Sequence, residues 1–238
     1  METNLKMIKD YIKLLLEYPI TLSVDSFGLT VNHPVFRDRI VSIQVPKTDK
    51  NPTGLELVDI GLTSNQERIK AYYRKLIDNA SNATHLFLLI NRLYTGFLFK
   101  QVYEYLSEED FTNLLEHIWV SLEYPNADVN VSKRDWVKFW KKANLDYIYS
   151  DSDKKVLELL PDEFTVYRGL MNKAKVNALS WTLDKDKAIW FATRFNNKGK
   201  LYKATCKKKD ILVYLSGRSE SEIVVEYKKL TNVEEVSY

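Results

Sequence analysis

The chain of 238 residues has a single cysteine, three histidines and seven glycines, and each scarcity narrows what it can be. One thiol, Cys206, cannot close an internal disulfide, which makes a reducing compartment the simplest home. His33, His85 and His117 are scattered, with no cysteine or carboxylate at metal-ligand spacing, so no metal site is expected. None of the glycines stands at the spacing of a Walker loop or of a doubly wound dinucleotide fold. An excess of one charge is missing too: a net charge of +3 gives no ground for expecting nucleic acid or an anionic membrane as partner. The longest apolar runs, such as residues 86–90, are far too short to span a bilayer. Residues 1–10 hold no apolar stretch of the kind that marks a secretion signal. The expectation is a soluble, cytoplasmic protein without a membrane partner.

What is present is ordinary for a globular chain, with 45% hydrophobic and 28% charged residues. The first two thirds read mainly as helix. Leu5, Ile8, Ile12 and Leu15 recur at helical spacing until Pro19 stops the pattern. Residues 20–45 mix β-branched residues with Gly28 and Pro34 and read as short strands or an extended arm. Residues 44–54, polar with two prolines and a glycine, are the best linker candidate. Ser64 with Glu67 predicts a capping box, in which each side chain satisfies the other's orphan backbone N–H, ahead of Ile69, Tyr73, Leu76 and Ile77. Ser107 with Asp110, and Ser132 with Asp135, predict two further helix starts, with residues 123–131 as a loop between them. Trp119, Trp136, Phe139 and Trp140 read as helix core, with a target-binding surface as the lesser reading.

After Pro161 the character changes to short β-branched or aromatic segments: 164–168, 179–182, 201–206, 211–215 and 222–227. One helix interrupts them, capped by Asp184, carrying Ala188, Phe191, Ala192 and Phe195, and ended by Gly199. Lys207-Lys208-Lys209 reads as a solvated turn. Composition thus divides the chain into residues 1–54, 55–160 and 161–238.

Three motifs occur in the last of these regions. Tyr167-Arg168-Gly169 ends one strand, Ser180-Trp181-Thr182 makes the next, and Glu220-Ser221-Glu222 leads into Ile223-Val224-Val225. Their order and strand context resemble the Arg, Ser-x-Ser/Thr and Glu-x-Glu signature of the ADP-ribosyltransferases, in the branch that includes cholera-type and C3-type toxins. The stretch 178–195 also resembles the strand and helix of uncharacterised phage and bacterial members. The resemblance covers residues 161–227 and, more loosely, 86–130.

The resemblance implies an α+β fold, with a helical N-terminal region followed by a split antiparallel sheet, and NAD as co-substrate across the split. It implies Glu222 as the carboxylate beside the ribose, where breaking the nicotinamide bond creates oxocarbenium-like charge. Glu220 would orient or deprotonate the acceptor; a glutamate there is similar to the arginine-modifying members. If the segment is extended, both carboxylates share one face. Arg168 would grip a phosphate through two parallel hydrogen bonds, and Gly169 would let the backbone approach the nicotinamide amide. Ser180 would hold Glu222 or the ribose, with Thr182 supporting the same strand. The acceptor implied is a macromolecule of a bacterial host cell, a protein first and a nucleic acid second, as for a toxin or a phage modifier of host machinery. Residues 1–54 are left over for target recognition.

Each residue also has a plainer reading: an ion-paired arginine, strand hydroxyls, a solvated pair of glutamates. Those readings do not explain why all three motifs fall on strands in the family's order. Two rivals stay open, an NAD glycohydrolase in which water replaces the acceptor, and a catalytically silent binding module of the same fold.

Overall fold

The computed structural model describes residues 1–25, 28–122, 124–171, 175–194, 198–217 and 220–237. Helices and antiparallel strands mix in an α+β architecture, with eight α-helices and ten strands among the described residues. Contacts divide the chain once, into compact units Met1–Leu114 and Leu115–Tyr238, whereas composition divided it at 54/55 and 160/161.

The first unit begins with α1 (Leu5–Leu16), whose N-cap Asn4 accepts from the Met7 N–H at 3.2 Å. Its buried stripe is Ile8, Ile12, Leu15 and Leu16, the helical spacing expected. Two hairpins follow, β1 (Thr21–Asp25) with β2 (Gly28–Asn32) and β3 (Ile40–Gln44) with β4 (Leu55–Asp59). The second corrects the linker expectation: residues 45–54 form its turn. Val45 N–H donates to the Gly54 carbonyl at 2.9 Å, and Gly54 sits at φ +66°, which only glycine adopts cheaply. The prolines and glycine that looked like a linker are turn chemistry instead.

Next come α2 (Thr63–Asn79), α3 (Ala83–Leu88) and α4 (Thr95–Val102), each in contact with α1. The Ser64–Glu67 capping box does not form. The helix starts two residues early, with Leu62 as an N-cap that makes no side-chain hydrogen bond, and Glu67 lies 3.8 Å from Lys70 instead. His33 is core: its Nδ1 accepts from the N–H groups of Val35 and Phe36, and burial pulls its pKa down to about 4.

The boundary between the units falls inside α5 (Glu108–Ser121), where Ser107 caps the Asp110 N–H at 3.1 Å. In the second unit, α6 (Lys133–Lys142) starts with the expected Ser132–Asp135 box, complete in both directions. A second full box, Ser150–Asp153, starts α7 (Asp151–Leu159) and was not anticipated. Replacing Ser132 with Ala removes one such cap and is expected to cost about 1 kcal/mol. A thermal melt should show the midpoint falling by roughly 2–4 °C.

The sheet holds β5 (Glu163–Leu170), β6 (Ser180–Thr182), β7 (Lys200–Lys207), β8 (Ile211–Leu215), β9 (Glu222–Val225) and an unanticipated β10 (Thr231–Val236). They form one antiparallel sheet in the order β10-β7-β5-β6-β9-β8. Beneath it Phe164, Val166, Trp181, Ile223 and Val225 make a core with Cys206, whose thiol burial pushes up to about 12. The helix expected after Asp184 is α8 (Lys185–Thr193), capped by Asp184 Oδ1 at 2.8 Å from the Asp186 N–H. Ala188 and Ala192 are its buried residues; Phe195, also expected on that face, lies outside the described residues.

The expected split into two small sheets takes a different form, since the six strands form one sheet. The join between β5 and β6 is a single residue pair, Tyr167 with Thr182, whereas β5 and β7 pair over eight positions. The sheet is continuous but nearly open at that join.

Candidate functional site

The near-break in the sheet is the floor of a cleft of about 590 Å³ in the second unit. Arg168, Gly169, Ser180, Thr182, Glu220 and Glu222 all line it. Strand register explains part of this convergence. Tyr167 pairs with Thr182, Thr182 with Glu222 and Glu222 with Leu215, so these four form one cross-strand row on one face. Ser180, two residues from Thr182 on β6, shares that face.

Arg168 stands next to the row on β5. Its Nη1 donates to the Ser180 carbonyl, so a side-chain donor stands where a ladder N–H would otherwise be. The residue as a whole is half-buried, but its Nε is shut off from solvent and has no hydrogen-bond partner among the described residues. Burial lowers its pKa to about 10 and the Glu222 carboxylate pulls the other way, which leaves the guanidinium charged at neutral pH.

Further cations gather beside it. Lys133, the first residue of α6, donates to the Asn177 carbonyl, and Lys175 and Arg194 also line the cleft. Burial, then Arg168, then Lys175 push the Lys133 pKa below the ordinary lysine value. Mutually repelling cations are an arrangement that a bound anion relieves. The aromatic rim includes Tyr124 and Trp190, half exposed, with the Arg194 guanidinium 5.9 Å from each ring centre. One side of the cleft therefore suits an anion, and the Glu222 side suits positive charge.

Glu222 is 7% exposed, and its Oε1 accepts from the Trp119 indole N–H at 3.2 Å. Of the two contacts expected of Ser180, the one to Glu222 is not made: the Ser180 hydroxyl has no hydrogen bond among the described residues, and Ser180 contributes its carbonyl to Arg168. Thr182 does more than support the strand. Its hydroxyl donates to the Glu220 carbonyl at 2.5 Å and accepts from the Asp184 N–H at 3.0 Å, tying the segment before β9 to the start of α8.

One geometric expectation is corrected. Glu220 and Glu222 do not share an extended strand. Ser221 between them has φ +43°, in the left-handed region that disfavours a side chain, and β9 begins only at Glu222. Glu220 still lines the cleft, from the turn and not from the strand. Gly169 also has a packing reason to be glycine. A Cβ there would lie 1.7 Å from the Ala188 carbonyl oxygen and 2.7 Å from the Ala192 nitrogen, so the glycine lets α8 lie against β5.

Lys133, Lys175, Arg194 and Trp119 were not picked out as site residues by sequence. A lysine that opens a helix reads as solvated, and Trp119 read as core, which it also is at 1% exposure. No group of three or more His, Cys, Asp or Glu that could hold a metal ion occurs among the described residues. No helix of the described residues is long and apolar enough to cross a membrane. Comparison with protein-family models, with curated proteins and with solved structures gives no match.

Proposed function

We propose that this cleft binds NAD, cleaves its nicotinamide–ribose bond and transfers ADP-ribose to a macromolecular acceptor. The observation that carries the reading is convergence: six residues named from three separate motifs line one cleft, with Arg168 and Glu222 close enough to interact electrostatically. The charge pattern supports it. NAD presents a pyrophosphate dianion at its centre and a cationic nicotinamide ring at one end, which matches cations on one side and a buried carboxylate on the other.

In this reading the Arg168 guanidinium binds a phosphate oxygen, assisted by Lys133 and Lys175. When the N-glycosidic bond breaks, its electron pair leaves with nicotinamide, which departs neutral, and positive charge develops on the ribose. Glu222 stabilises that charge from a site with little water, where a fixed carboxylate acts strongly. The acceptor's nucleophilic atom then bonds to the ribose carbon and gives up its proton, for which Glu220 is the available base at the cleft edge. The acceptor class, an arginine-bearing protein of a bacterial host, rests on the resemblance of the Glu220-Ser221-Glu222 motif.

Arg168→Lys tests the phosphate role. Lysine keeps the charge but loses the planar fork, so the KM for NAD should rise about ten-fold with a smaller change in kcat. An unchanged KM would remove Arg168 from binding. Transfer itself is tested by incubating the protein with adenylate-labelled NAD and bacterial lysate. Label on protein or nucleic acid is the expected result. Free ADP-ribose accumulating with no macromolecule labelled would reject transfer in favour of hydrolysis.

A further inference from the structure

We infer that Trp119 is a positioning residue for Glu222: its indole N–H holds the carboxylate in one orientation and favours its ionised form. The inference rests on the NAD-cleaving reading of the cleft and adds a residue that lies outside all three motifs.

The geometry is specific. Glu222 enters from β9 and Trp119 from α5, and the indole Nε1 lies 3.2 Å from Oε1. A buried carboxylate needs donors, and the neighbouring strand hydroxyls are not used for this. Thr182 donates to the Glu220 carbonyl, and Ser180 makes no side-chain hydrogen bond among the described residues. One donor comes from the helical layer, the Trp119 indole N–H.

Trp119 is itself held. Its ring packs edge-on against Trp136 at 5.4 Å and Trp140 at 6.0 Å, both from α6. The Trp136 indole N–H is already committed to the Pro125 carbonyl at 3.0 Å. A rigid ring presents its one donor from a fixed point, which is what orientation of a charged group in a transition state needs. The aromatic group that reads as simple core thus has a polar end at the cleft.

A hydrogen bond to the charged form lowers a carboxylic acid's pKa, so removing it raises the pKa. Among the described residues, the other charged groups lining the cleft around Glu222 are Arg168 on β5, Lys133 on α6, Lys175 before β6, Arg194 after α8 and Glu220 before β9. All remain when only position 119 is changed, so the difference from the parent isolates the indole.

The test is Trp119→Phe in the full chain, which keeps an aromatic ring and removes the N–H. The acid limb of the kcat profile for nicotinamide release should move up by about one pH unit, with kcat at its plateau about ten-fold lower. The KM for NAD should stay within about two-fold, because the indole acts on charge that forms during the reaction. An acid limb at the parent's pH would overturn the proposal, whatever happens to the rate. If the parent releases no nicotinamide, the NAD-cleaving reading fails instead. Trp119 is then judged by NMR titration of the carboxyl-labelled glutamates, with Glu222 assigned from the signal lost in Glu222→Gln. An unshifted Glu222 titration in Trp119→Phe would overturn the positioning role, and a raised one would support it. Should the phenylalanine variant fail to fold, the sulfur isostere benzothienylalanine at position 119 removes the N–H while keeping the bicyclic ring, and the same readouts apply.

Discussion

Glu222→Gln should lower nicotinamide release from NAD by about 1,000-fold and leave the protein folded, with NAD affinity close to the parent's. The substitution keeps the size of the side chain and an oxygen able to accept from Trp119, so the hydrogen bond at 3.2 Å survives. What it removes is the negative charge. That charge is held in a site where Glu222 is only 7% exposed, so water screens it little and replaces it poorly. The loss should fall on kcat, because the positive charge on the ribose exists in the transition state and not in the bound substrate. Circular dichroism and a thermal melt check the fold; chromatography of released nicotinamide checks the rate. A variant as fast as the parent would remove Glu222 from the chemistry, and with it the motif-based reading. It would also leave the silent-module alternative standing if the parent were equally slow.

Gly169→Ala is expected to destabilise the protein by about 3–5 kcal/mol, the largest stability effect of any single change considered. The added Cβ would sit 1.7 Å from the Ala188 carbonyl oxygen and 2.8 Å from its carbon. These are backbone atoms of α8, so no side chain can swing away; the helix must move off the sheet or unfold locally. Gly217→Ala is the matched control, since no described residue lies within 4 Å of a Cβ built there. Its effect should stay within about 0.5 kcal/mol. Denaturant unfolding without NAD separates this account from one in which the glycine matters only for ligand approach. A Gly169→Ala variant as stable as the control would show that α8 does not rest on β5 as described.

The sequence made the strands and the residues of the cleft legible because both depend on short patterns. Five of the six sheet strands follow from β-branched runs between turn residues, and Arg168, Ser180 and Glu222 follow from motif order on those strands. β10 was missed since Thr231–Val236 is polar, with two glutamates, and its half-exposed edge position requires no apolar run. Capping was legible where the box residues sat directly before an apolar stripe, as at Ser132. It misled at Ser64, where the helix begins two residues earlier without a side-chain cap. The hairpin turn at residues 45–54 looked like a linker because turns and linkers share proline, glycine and polar residues. Only pairing between β3 and β4, a long-range fact, tells them apart. The same limit hid the second layer of the cleft. Lys133 and Trp119 enter it from helices, and no local pattern in α5 or α6 announces that an indole N–H meets a carboxylate 103 positions away.

The geometry around Glu220 shows a further limit. A Glu-x-Glu pattern suggests two side chains on one face of a strand, but Ser221 at φ +43° ends that equivalence. The strained residue sits between the two carboxylates, with its carbonyl accepting from the Leu183 N–H at 3.1 Å and the Glu220 carbonyl taken by Thr182. These bonds hold an unfavourable backbone conformation between two differently placed carboxylates, a pattern found at functional sites.

The most direct measurement is nicotinamide release by the purified full-length protein given NAD alone, run beside Glu222→Gln. The account predicts nicotinamide forming in proportion to parent protein, saturating with NAD and falling to near background in the variant. No release above buffer, together with no heat of NAD binding by calorimetry, would contradict it.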